Sequence, residues 1–92
     1  SWLDVGSWPS RAQTCQRDQA DNAFGARRHI VMDSRNTLVF SSDPNHLVTT
    51  IGCDDMVVVH TPEATLVCPK DQAQRIKELH AQVKERFGDE LA

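Results

Sequence analysis

Asp4, in the run Trp2-Leu3-Asp4-Val5-Gly6-Ser7-Trp8, is the residue best placed for chemistry in this 92-residue chain. An aspartate between apolar residues, followed by Gly-Ser at a tight turn, can hold a carboxylate at a strand end facing a cleft. Such an oxygen suits a hard divalent cation. Mg²⁺ takes few protein oxygens and completes its shell with water and phosphate. The alternative is a strand-terminating turn in which Asp4 bonds only backbone N–H groups, and spacing by itself favours that plainer role.

The other reactive side chains form no complete active site. Asp54 and Asp55 are paired, but they fall in a turn signal where acids serve backbone geometry. Cys15, Cys53 and Cys68 are odd in number and widely spaced, with no CxxC pair, so neither a zinc knuckle nor a redox pair is expected. Reduced thiols are expected instead, with Cys53 and Cys68 in or near the core. His29, His46, His60 and His80 lie at none of the short spacings that bring two imidazoles to one ion, so no histidine metal site is expected. The chain has no GxGxxG, no P-loop and no nucleophile elbow. No catalytic residue is therefore assigned.

Composition narrows the partners. Ten basic and thirteen acidic residues leave a net charge of −3, which argues against nucleic acid or an anionic membrane as partner. Apolar residues are 39% and charged residues 25% of the chain, as in an ordinary globular domain. No apolar run reaches the ~18 residues of a membrane span, and no signal peptide opens the chain. Its first residue, Ser1, fits either processing or a longer parent.

Three zones would position these groups. Residues 1–8 hold both tryptophans. Residues 9–28 are nearly devoid of large apolar groups and read as a solvated linker or loop. From residue 29 the texture changes to short β-like runs at 29–32, 37–40, 47–51, 56–60 and 65–68, separated by turn clusters. The continuous apolar run at 56–59 predicts burial on both faces. After Pro69, Asp71 and Gln74 are spaced for a capping box. Ala73, Ile76, Leu79, Val83 and Phe87 then form one stripe of an amphipathic helix packed on the strands, and Gly88 ends it.

Four segments, in order, resemble a known family. Trp2 to Trp8 is similar to the closing motif of the catalytic domain in sugar-1-phosphate nucleotidyltransferases, mannose-1-phosphate guanylyltransferases above all. Asp33-Ser34-Arg35-Asn36-Thr37-Leu38-Val39 resembles that family's D-S-x-N-x-L-V segment. Leu47-Val48, Ile51-Gly52 and Asp55-Met56-Val57-Val58-Val59 follow its next passage. Thr61-Pro62-Glu63-Ala64 and Leu66-Val67-Cys68-Pro69-Lys70-Asp71 match its last strand and the start of its terminal helix. His60 departs from the pattern, standing where an acid is common, and Glu63 stands where Asp is usual. A histidine there would either make a local contact pH-sensitive or remain an inert surface residue.

The resemblance implies an α+β fold: a small β-rich module of short strands, left-handed β-helix-like, with a C-terminal amphipathic helix. Residues 1–8 would end a nucleotidyltransferase domain, 9–28 would link, and 29–92 would form the module. It implies the C-terminal portion of a cytoplasmic enzyme making GDP-mannose and pyrophosphate from GTP and mannose 1-phosphate. Asp4 would be its second metal carboxylate, for Mg²⁺. The substrates would bind through the missing N-terminal domain, so this chain would be inactive by itself and would serve assembly as a homo-oligomer. Two other expectations are a standalone interaction module derived from that family and a domain of a bifunctional protein with a phosphomannose isomerase.

Overall fold

A computed structural model describes residues 16–90. Seven strands come first: β1 (Gln16–Arg17), β2 (Ala23–Gly25), β3 (Arg28–Met32), β4 (Leu38–Ser41), β5 (Leu47–Ile51), β6 (Met56–His60) and β7 (Thr65–Pro69). A 3-10 helix (Lys70–Arg75) and the helix α1 (Ile76–Phe87) follow.

From β2 to β6 successive strands alternate between two sheets, while β1 and β7 each turn back antiparallel onto the larger one. One sheet has the order β1-β2-β4-β6-β7, and the other pairs β3 with β5. The pairings of β2 with β4, β4 with β6 and β3 with β5 are all parallel. The chain thus winds as a coil, each turn laying one strand in each sheet, which is the β-helix-like architecture. Arg28 faces Leu47 and Leu38 faces Val57, so a full turn consumes nineteen residues. The first turn is shorter, since Ala23 already faces Leu38.

The corners repeat with the same register. Asp21, Asn36 and Asp55 all have left-handed backbone, at φ 64°, 48° and 58°. They occupy equivalent positions just before β2, β4 and β6. Asp33 and Gly52 are likewise equivalent after β3 and β5, at φ 50° and 64°. Asn, Asp and Gly are the residues that enter this region at least cost.

Alternation along the strands separates two apolar layers. Val39, Val48 and Ala26 are buried inside the coil with Phe24, Val31 and Val58 packed against them. Ala23, Leu38, Val57, Val59, Leu66 and Ile76 form a second core on the other side of the larger sheet, beside the helix. Val57 and Val59 therefore point one way and Val58 the other. The Val57-Val58-Val59 run has apolar neighbours on both faces, as expected.

Two expectations need correction. The described part of the predicted linker contributes β1 and β2, with Asn22, Ala23 and Ala26 buried. Small residues suffice there because the next turn of the coil supplies the apolar partners. At the other end, Lys70–Arg75 is a 3-10 helix that begins after Pro69 without a side-chain cap, so the capping box does not form. Ile76 is buried and Ala73 and Val83 pack on the core, but Leu79 and Phe87 remain 39% and 61% exposed. The helix docks by its first turns and projects beyond the sheet. Gly88, at φ 77°, donates its N–H to the Lys84 carbonyl and closes the helix as expected.

Candidate functional site

Asp4 and Cys15 lie outside the described residues. The reactive groups that are described sit at the corners and on the outer face of the coil.

The first corner is a hydrogen-bonded polar core. Asn22 is 1% exposed. Its side-chain amide donates to Ser34 O at 2.8 Å and to Asp18 Oδ2 at 3.0 Å, while its Oδ1 accepts from the Thr37 N–H at 2.9 Å. Asp18 Oδ1 accepts from the backbone N–H groups of Ala20 and Asn22. The Asn22 amide, with these backbone donors, holds the Asp18 carboxyl below the ordinary aspartate range despite some opposing burial. Thr37, fully buried, places its hydroxyl 3.0 Å from Arg35 O and 2.9 Å from Cys53 O. Ser34 Oγ and Thr50 Oγ1 meet at 2.9 Å one corner on. These groups satisfy one another and the backbone, so they hold the coil's shape and offer nothing to a substrate.

The paired acids serve the same purpose. Asp54 forms an exposed ion pair with Arg35 at 3.4 Å, raising the Arg35 guanidinium above its ordinary value. Asp55 Oδ1 accepts from Asn36 Nδ2 at 2.7 Å, and Asn36 Oδ1 accepts from Lys70 Nζ at 2.8 Å. Cys53 and Cys68 are partly buried and not bonded to each other, and Cys68 packs against the second core. Burial raises the Cys68 thiol, and the Asp71 carboxylate adds to the effect.

Spacing did not foresee two features. Asp43, His46 and His60 come together, each offering one donor atom within 4.8 Å of the others. The His46 and His60 rings stack with centroids 3.6 Å apart and planes 7° from parallel. Fourteen residues separate the two histidines, so only the coil register brings them side by side. The second feature is apolar. Ile30, Met32, Leu47 and Ile51 point outward from β3 and β5, with exposures of 51–73%. Alternation in 28–32 and 47–51 was a usable signal for this face, because the inward set was already Val31, Val48 and Thr50. Among the described residues, no helix is long and apolar enough to cross a membrane.

Comparison with known proteins fits this architecture. The crystal structure of a protein named mannose-1-phosphate geranyltransferase, from Thermus thermophilus, superposes with a TM-score of 0.71 at 27% identity, covering 88% of this chain and 24% of that one. The xanthan biosynthesis protein XanB of Xanthomonas campestris is 36% identical over 83 residues, which are 90% of this chain and 17% of that protein. The alginate biosynthesis protein AlgA of Pseudomonas aeruginosa is 38% identical over 76 residues, 83% of this chain and 15% of its own length. The mannose-1-phosphate guanylyltransferase of Escherichia coli is 30% identical over 78 residues, 85% of this chain and 16% of its own. The chain thus spans about 17% of the length of such relatives, matching their C-terminal part. The family model described as "MannoseP isomerase/GMP-like beta-helix domain" matches residues 27–83. With that match over more than half its length, and a coil of parallel strands to go with it, the chain belongs to the MannoseP isomerase/GMP-like β-helix domain family.

Proposed function

We propose that this chain is the β-helix portion of a cytoplasmic mannose-1-phosphate guanylyltransferase, inactive by itself and serving subunit assembly. In the intact enzyme a phosphate oxygen of mannose 1-phosphate attacks the α-phosphorus of GTP, forming GDP-mannose and releasing pyrophosphate. Mg²⁺ would supply charge neutralisation on the phosphates there, and Asp4 would be a carboxylate ligand from this chain. The described residues contribute no phosphate cradle and no cluster of carboxylates converging on one point. Their part in the reading is mechanical.

The observation that carries it is the outer face of β3–β5. Register places Met32 beside Ile51, Arg28 beside Leu47 and Ile30 beside Thr49, so the four large apolar side chains share one surface. Such a grouping marks a contact surface more than a solvated one. Homologues named as guanylyltransferases support the reading at the level of the parent enzyme.

Sedimentation equilibrium tests the assembly role. The wild-type chain is expected to self-associate at micromolar concentration. Ile51→Lys combined with Met32→Lys, at exposed positions that folding does not need, is expected to sediment as a single chain with an unchanged circular dichroism spectrum. A wild-type chain that stays monomeric at every concentration would overturn the assembly role.

A further inference from the structure

We infer that Asp43, His46 and His60 form a site for a divalent transition metal of the zinc class, a staple between two turns of the coil. This goes beyond the assembly role and does not depend on it. The three residues come from two places. Asp43 and His46 lie on the turn between β4 and β5, and His60 ends β6. One donor atom from each already lies within 4.8 Å of the others.

The scaffold around them is fixed by hydrogen bonds. Asp43 N donates to Ser41 Oγ at 3.2 Å, Asn45 N donates to Asp43 Oδ1 at 2.9 Å, and His46 N donates to Asp43 O at 3.2 Å. Ser42 N donates to His60 O at 3.1 Å, tying the turn to the end of β6. One Asp43 carboxylate oxygen is thus engaged with the backbone, which leaves Oδ2 for an ion. His60 Nδ1 lies 3.3 Å from Thr65 Oγ1. That contact orients the ring and leaves Nε2 as its ligating atom, as outer partners of metal-bound histidines do.

Donor chemistry selects the ion. Two imidazole nitrogens and one carboxylate suit Zn²⁺, with bonds of about 2.0–2.2 Å and a fourth position for water. Mg²⁺ prefers an all-oxygen octahedron and gains little here. Parallel stacked rings do not aim their lone pairs at one point, so ligation requires one ring to tilt. His46 is exposed and able to do so, while His60 stays held by Thr65.

Calorimetric titration of the full chain with ZnCl₂ under reducing conditions tests the site, alongside ¹H–¹⁵N spectra of the imidazoles. One Zn²⁺ is expected to bind per chain, shifting the ring signals of His46 and His60 and leaving those of His29 and His80 in place. His46→Ala, at an exposed position, is expected to weaken binding at least about tenfold. Thr65→Val is expected to weaken it by about tenfold through the loss of an outer partner. MgCl₂ is expected to shift neither ring. A Zn²⁺ isotherm unchanged by His46→Ala would overturn the inference. So would saturable binding that disappears only when Cys15, Cys53 and Cys68 are replaced by serine, or no binding at all.

Discussion

Deleting the Asn22 side chain would leave two buried groups unpaired, the Thr37 N–H and the Ser34 carbonyl, and would take one donor from the exposed Asp18 carboxylate, which keeps its backbone donors. Each buried group left unpaired costs about 1–3 kcal/mol. Asn22→Ala is therefore expected to lower the melting temperature by at least several degrees, measurable by circular dichroism, since 1 kcal/mol is roughly 4–8 °C at this size. Asp18 adds a pH dependence of known sign. Its carboxyl is lowered in the folded state, so its contribution is fully present above the unfolded value near ~3.9 and is lost as pH falls through the lowered folded value. The melting-temperature gap between wild type and Asp18→Asn should close as pH is taken from 6 to ~2. A gap that stays constant would show that the Asp18 hydrogen bonds add nothing through the charged form. None of this polar corner was legible in the sequence. Asp18, Asn22 and Ser34 are ordinary loop residues until the coil stacks them.

At the scale of the elements, β2 packs closely on β4. A Cβ on Gly25 would meet the Phe40 ring that faces it across the parallel pair. Gly25→Ala is expected to displace that ring and cost about 1–3 kcal/mol, read from the urea midpoint. An unchanged midpoint would mean the strand can shift to make room. The strands from β3 to β7 were legible because each is a short apolar run between turn residues, and observed ends fall within one residue of the expected ones. Strand β2 was not legible. Ala23, Gly25 and Ala26 carry too little apolar surface to announce a strand, and their burial comes from Leu38, Val39 and Phe40 in the following turn. The helix was legible as a stripe, but its start was not, because Asp71 accepts no capping bond and the chain after Pro69 enters as a 3-10 turn.

For the whole molecule, the coil explains what the described residues display. Inward positions on β3 and β5 are taken by the core, so outward ones carry surplus apolar surface, and corner acids are occupied with turns. The motif order in the sequence was enough to identify the family and the C-terminal placement within its relatives. It was not enough to find the Asp43, His46 and His60 cluster, whose members meet only through the register of stacked turns. Under the proposed function this module contributes shape and the phosphoryl-transfer machinery lies elsewhere in the parent enzyme. The most direct test is pyrophosphate release by this chain alone, with GTP, mannose 1-phosphate and Mg²⁺ at saturating concentration. The account expects no release above the protein-free blank. Saturable, Mg²⁺-dependent release of pyrophosphate together with GDP-mannose would contradict it.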